Sequence, residues 1–277
     1  PVREIRTLAV GDLGNADRWD AFVAQCSGAT FFHRSGWQRV IEEVLRHRTH
    51  FLYAQRAGRI EGVLPLAHVK SFLFGDALVS LPFAVYGGAV AESVDVLTAL
   101  ETEAQALAER IGADHLEMRN ISPRHSDWPT QDLYVTFRKE ILPETDANLL
   151  AIPRKQRAMV RKAIKHGLKS EIDTAPDRFF ALYADNVRRH GTPALPKRYF
   201  EALQHAFGDD CEVLTVVDPR GRPLSSVLSF YFRDEVLPYY GGGTLQARDT
   251  AANHFMYWDL MGRATGAPPG PATALGH

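Results

Sequence analysis

The feature that most constrains this chain of 277 residues is an order of elements that occurs twice. In each half two helical patterns precede a strand, a tight Gly-Arg turn, a longer strand, a Tyr-Gly-Gly and another helix. The anchors are Gly58-Arg59 against Gly221-Arg222, and Tyr86-Gly87-Gly88 against Tyr240-Gly241-Gly242. Each copy has the size of a domain able to bury its own core, and self-similarity at this scale marks an ancient duplication. The expected fold is α/β in the mixed α+β sense: two tandem domains, each a central mixed sheet flanked by helices. Residues 1–145 would form the first, 146–264 the second, and 265–277 a disordered or aberrant tail.

Alternating and β-branched runs predict strands at 51–55, 62–69, 78–81, 115–119 and 133–139 in the first copy, with helices at 17–25, 36–46 and 94–111. Ser35 followed by Gln38 has the spacing of a capping box for the second of these. The second copy reads as helices at 154–168, 177–190 and 197–207, strands at 212–217, 224–232 and 235–240, and a helix over 251–263. The copies end differently. The first runs on into HLEMRN and YVTFRK, whereas residues 265–277 hold three prolines, three glycines and one leucine. Proline donates no ladder hydrogen bond and glycine packs no side chain, so the second sheet is expected to lack its last strand and to expose an edge.

Lys and Arg total 32 against 33 Asp and Glu, a net charge of -1, so no overall field recruits nucleic acid or an anionic membrane. Anion binding must be local, and one segment supplies it. IPRKQRAMVRKAIKHGLK carries seven bases with no acid between Asp146 and Glu171. At 100° per residue Arg154, Arg157, Arg161 and Lys165 form a stripe, with Lys155 beside it, opposite Val160, Ala163, Ile164 and Gly167. This stripe suits a phosphate, a lipid headgroup or an RNA backbone; a merely solvated helix face is the plain alternative. The other candidate is the strand ending at Tyr240, followed by Gly241, Gly242 and Gly243, with Thr250 or Asn253 capping the next helix near His254. Glycines let backbone N–H groups approach a ligand closely, and a helix N-terminus favours a pyrophosphate. Two cysteines, no metal-ligand spacing, and His47 and His50 without a third ligand argue for no metal and a reducing compartment. The uncharged run 77–91 contains Pro82 and is too short to span a bilayer, and the N-terminus lacks a signal-peptide core, so the expected location is cytoplasmic.

Taken in order, FFHRSGWQRVIEEV, GVLPLAHVKSFLFGDALVSLPFAVYGG, IPRKQRAMVRKAIKHGL, RRHGTPALPKRYFEAL and ANHFMYWDLMGRA resemble the FemAB-like branch of the GNAT acyltransferase superfamily. The resemblance is strongest to the type that accompanies exosortase (PEP-CTERM) systems, and it spans residues 30–264. It implies twin GNAT-like domains and transfer of an acyl or aminoacyl group onto an amine of a cell-envelope or exopolysaccharide precursor. It also implies oxyanion donors from a splayed strand, and acyl-CoA as the candidate donor, bound at Gly241–Gly243 and Asn253. The basic stripe would hold acceptor phosphates, with peripheral attachment at the inner face of the membrane. Candidate catalytic side chains are His33, Tyr86 and Tyr240. Two departures stand out. Family members continue past the final helix with a strand ending in an Asp-Phe-Gly-Arg-like motif, absent here as in a truncated or frameshifted chain. No heptad-bearing helical arm is present, which argues against aminoacyl-tRNA as donor. The competing classes are a non-catalytic accessory protein binding a phosphate-bearing precursor or an assembly partner, and an RNA-binding protein. The second is disfavoured because no aromatics interleave the bases.

Overall fold

The computed structural model describes residues 2–71, 75–131 and 136–266, and the chain divides into two compact units, Pro1–Asp132 and Leu133–His277. The division falls before the 145/146 boundary expected from sequence because residues 136–144 attach to the second unit. Arg138 Nη1 lies 3.0 Å from Glu235 Oε1. Asn148 accepts the Leu142 N–H at 2.8 Å and donates to the Leu142 carbonyl at 2.6 Å.

The first unit opens with β1 (Glu4–Thr7) and α1 (Leu13–Gln25). The helix starts ahead of the expected residue 17 because Asp12 caps it, its carboxylate accepting the Asn15 N–H at 3.1 Å. A 3₁₀ turn over Phe31–His33 leads to α2 (Gly36–Val40), which continues as a π turn over Ile41–Leu45. The hairpin of β2 (Arg48–Arg56) and β3 (Arg59–Ser71) turns through Ala57 and Gly58, both at positive φ. Then come β4 (Gly75–Ser80), β5 (Val90–Ala91), α3 (Val94–Ile111) and β6 (His115–Glu117). The sheet runs β1-β2-β3-β4-β6, with β5 beside β3 and only the β4–β6 pairing parallel among the described strands. Val96, Leu100, Ala104 and Leu107 of α3 repeat at helical spacing and bury against Leu52, Leu64, Leu66 and Leu78.

The capping box is not where Ser35 and Gln38 suggested. Ser35 has helical backbone angles and makes no cap. Its N–H and hydroxyl instead donate to the half-buried Asp20 carboxylate at 2.7 and 2.8 Å, while the Gln38 amide donates to the Leu8 carbonyl at 2.9 Å. The box is one turn earlier. Thr30 caps the 3₁₀ turn through its hydroxyl, and His33 Nδ1 accepts the Thr30 N–H at 3.0 Å. Thr136–Lys139, the described part of the strand expected at 133–139, form no regular strand; residues 132–135 lie outside the described residues.

The second unit comprises α4 (Thr145–Ala151), α5 (Arg154–Lys165), β7 (Lys169–Asp173), α6 (Asp177–Arg189), α7 (Lys197–Phe207), β8 (Cys211–Val217), β9 (Pro223–Phe232), β10 (Glu235–Gly243), α8 (Gln246–Thr250) and α9 (Ala252–Ala264). Its described strands form an antiparallel sheet in the order β10-β9-β8-β7. One face is covered by α5 and α9, whose Val160, Ala163, Phe255 and Met256 meet Leu214, Val216 and Val227. The other face packs α6 and α7, with Tyr183, Tyr199 and Phe200 edge-to-face around Tyr240 and Phe179 edge-to-face on Phe200. β10 lies at one end of the described strand order. The tail expected to leave this sheet uncovered falls, from residue 267 on, outside the described residues. Among the described residues no helix is long and apolar enough to cross a membrane.

Close packing settles the identity of Gly242. A Cβ there would sit 2.5 Å from the Leu182 carbonyl oxygen and 2.6 Å from the Tyr183 nitrogen, so the backbone of α6 rests directly on β10. Gly242→Ala is therefore expected to push α6 off the sheet and cost roughly 1–3 kcal/mol, read as a lowered urea midpoint. In the first unit His33→Ala leaves the buried Thr30 N–H and Gly88 carbonyl without their imidazole partners. It should destabilise by about 2–3 kcal/mol in the same measurement.

Candidate functional site

The site is built on the last residues of β10. A register shift between Pro238 and Tyr240 bulges the strand and increases its local twist. Beyond the bulge the Thr244 N–H donates to the Leu224 carbonyl at 2.8 Å. In an antiparallel ladder donors alternate, so this bond sets the phase: Gly242 pairs toward β9, and the N–H groups of Gly241 and Gly243 turn away from it. The glycines were expected to follow the strand as a loop. They are inside it, and the ladder divides them into one that packs and two whose donors face outward. The outward carbonyl of Gly243 is taken by Arg189 of α6.

The antiparallel topology brings many cations to the same end of this sheet. α5 runs toward it and finishes at Lys165, with Gly167 backing on Pro219 of the β8–β9 turn and Lys169 opening β7 opposite Val217. α6 delivers Arg188 and Arg189 there, the turn adds Arg220 and Arg222, and α8 adds Arg248. Arg188 and Arg189 pair with Asp185, and Arg222 pairs with Asp218. Lys162, Lys165, Lys169, Arg220 and Arg248 are exposed and carry no ion pair among the described residues. An end so charged, beside the start of α9, has the chemistry to hold a phosphorylated group.

Of the expected basic stripe, Arg154, Lys155, Arg161 and Lys165 are exposed on α5, opposite the buried Val160 and Ala163, as the periodicity implied. Arg157 departs from it. Its guanidinium folds back to the helix entry, Nη2 donating to the Ile152 carbonyl at 3.2 Å, and the residue is half-buried. Neither Thr250 nor Asn253 caps α9. Ala251, at a left-handed φ of 59°, holds that position without a side-chain bond, while the Thr250 hydroxyl donates to the Gln246 carbonyl. Asn253 sits beside Gly243, its Oδ1 3.0 Å from where a Cβ on that glycine would lie.

The three candidate catalytic side chains are not brought together. Both ring nitrogens of His33 are occupied: Nδ1 accepts from Thr30, so Nε2 carries the proton and donates to the Gly88 carbonyl at 2.8 Å. This tautomer ties the FFH block to the YGG block and leaves no nitrogen for base chemistry. Tyr86 is half-exposed in the segment between β4 and β5. Tyr240 shares a hydrogen bond of 3.0 Å with Tyr199, and burial pushes both phenols upward, so both stay protonated at neutral pH. Arg189, Arg220 and Arg248 were missed because their membership in the site depends on which strand ends meet, which residue spacing does not show. No cluster of three or more His, Cys, Asp or Glu suited to a metal occurs among the described residues.

Residues 154–268 match the family described as acetyltransferase (GNAT) domain. A UDP-N-acetylmuramoylpentapeptide-lysine N(6)-alanyltransferase of Weissella viridescens is 24% identical over 178 residues, which are 62% of this chain and 51% of that protein. The chain thus matches about half the length of that curated relative. Among solved structures, FemX aligns with 95% of this chain and 86% of its own at a TM-score of 0.67 and 16% identity. L-PGS from Bacillus licheniformis aligns with 90% of this chain and 74% of its own at a TM-score of 0.51 and 9% identity. The fold is therefore mixed α+β in a tandem GNAT-like arrangement, and the strand with the outward glycine donors lies inside the acetyltransferase (GNAT) domain match.

Proposed function

We propose that the protein is an N-acyltransferase that moves an acyl or aminoacyl group onto an amine of a cell-envelope or exopolysaccharide precursor. The observation that carries this reading is the pair of outward N–H groups on Gly241 and Gly243, next to a sheet end crowded with unpaired cations. In such a transfer the amine lone pair attacks a thioester or ester carbonyl and the C–N bond forms. The carbonyl oxygen becomes an oxyanion, the thiolate or alkoxide leaves, and the ammonium proton passes to solvent. Outward backbone donors suit the oxyanion step, where one donor is worth about 2.7–4 kcal/mol of barrier. Lys162, Arg220 and Arg248 fit the phosphates of acyl-CoA as donor.

The Weissella relative is named for alanyl transfer to a lysine of a UDP-linked peptide precursor, which supports an amine on a phosphate-bearing envelope precursor as acceptor. The sequence blocks shared with the exosortase-associated type support an exopolysaccharide precursor met at the inner face of the membrane. Arg154, Lys155, Arg161 and Lys165 would hold its phosphates, with Arg157 ordering the helix entry. A second reading, an accessory protein that binds the precursor without turnover, is favoured by the commitment of His33 and Tyr240 to internal hydrogen bonds. Aminoacyl-tRNA is the alternative donor.

Release of free thiol from acyl-CoA in the presence of an amine-bearing, UDP-linked peptide separates these readings, with aminoacyl-tRNA as a parallel donor. Turnover is expected with acyl-CoA; binding without turnover by either donor would establish the accessory reading. Proline is tolerated on an edge strand where the N–H faces away from the ladder, so Gly241→Pro should fold. By removing one outward donor it should lower kcat about 100-fold. Arg161→Glu with Lys165→Glu, both exposed, should raise KM for the phosphate-bearing acceptor at least about tenfold with an unchanged thermal midpoint. Unchanged kinetics in both variants would remove the assignment.

A further inference from the structure

The first unit has a cleft of about 650 Å³ between the chain leaving β1, at Thr7–Val10, and the entry to β2, at Arg46–His50. Nothing in the acyl-transfer reading uses it. Arg46 and Arg48 are exposed on its wall, and neither guanidinium has an ion pair or hydrogen bond among the described residues. The single carboxylate lining it, Glu42, is already engaged: its Oε1 accepts the Thr49 N–H at 2.7 Å and the Thr49 hydroxyl at 2.8 Å. The cleft also holds His50, only 9% exposed, whose Nε2 is buried without a partner. Buried polar nitrogens are almost always paired in native proteins, and an orphan costs as much as a lost hydrogen bond. Two unpaired guanidiniums and a buried imidazole nitrogen without a partner, all on residues that line one cavity, make a set of polar groups that lacks its counterpart.

We propose that this cleft is an anion site of the first unit that takes the phosphoryl group of a phosphorylated small molecule, with Arg46 and Arg48 on its oxygens and His50 as the buried hydrogen-bonding partner. Guanidinium forks match the oxygens of a phosphoryl group. The volume far exceeds one phosphate, so the group arrives on a larger body. At the margin the His47 ring lies stacked 6.2 Å from Phe83, a flat surface for a ring carried by that body.

The surroundings of His50 set how binding responds to pH. Burial is the chief opponent of its protonation, Arg48 on its own strand, His68 on β3 and Arg110 on α3 add to it, and Glu42 acts the other way. His68 is itself paired with Asp76, which Lys70 also contacts, and Arg110 pairs with Glu103. His47 is held below the usual imidazole range by burial and by His68. A bound phosphoryl dianion favours the imidazolium form, so the imidazole pKa is higher in the complex than in the free protein. Affinity for the dianionic form accordingly rises as pH falls from neutrality.

The test is a titration of the full chain with inorganic phosphate, with a nucleoside diphosphate, and with acetate as a carboxylate control. Histidine ring signals are followed by NMR at fixed ionic strength. Saturable shifts of the His47 and His50 signals, an upward move of their titration midpoints, and binding weakened at least about tenfold in R46A/R48A are expected. Tighter binding of the nucleoside diphosphate than of inorganic phosphate is expected, and equal binding of the two would overturn a phosphorylated small molecule as the ligand. Acetate saturating the site as well as phosphate, non-saturating shifts, or equal affinity in R46A/R48A would overturn the proposal. The variants lie outside the second unit, so thiol release from acyl-CoA can fail or succeed independently of this result.

Discussion

The contact of α6 with Gly242 is the constraint on which the rest of the second unit depends. With no Cβ on that residue, the helix backbone at Leu182 and Tyr183 comes down onto β10 and stays in register with it. That fixes which β10 residues point into the α6 face and places Tyr240 among the rings of Tyr183, Tyr199 and Phe200. The neighbouring glycines then carry the outward donors. A structural demand and a chemical opportunity occupy consecutive positions because strand residues alternate in both side-chain direction and backbone polarity.

Charge follows the same geometry. The chain as a whole is nearly neutral, yet the sheet end beside Gly243 gathers five exposed bases that lack ion pairs among the described residues. Antiparallel packing explains the concentration. The C-terminal ends of α5 and α6, the β8–β9 turn and α8 all reach one end of the sheet, and basic residues near helix C-termini also complement the macrodipole. Net charge therefore says little about where this chain concentrates its charge, and local topology says much.

Much of the element order was legible in the residues. The period of Val96, Leu100, Ala104 and Leu107, the Gly-Arg turns and the separation of Val160 and Ala163 from the α5 cations all appear in the structure. Five described elements were missed: β1, β5, α4, β7 and α8. Each is short, and β7 reads Lys-Ser-Glu-Ile-Asp, a polar edge strand whose identity depends on pairing with β8. The capping box failed for a related reason. Ser35 and Gln38 have the right spacing, but Asp20 and the Leu8 carbonyl are better partners, and both come from distant parts of the chain.

The sequence by itself determined the mixed α+β class, the twofold repeat and the basic, acid-free face of α5, because these rest on local periodicity and composition. The tertiary structure alone decided the roles. It spent His33 and Tyr240 on internal hydrogen bonds, withdrew Arg157 from the stripe, drew the glycines into a strand and recruited Arg189, Arg220 and Arg248. A side chain's chemistry depends on which donors, acceptors and charges lie within a few ångströms. In a folded chain most of those come from residues far away in sequence, so spacing can name the groups but only packing can assign their work.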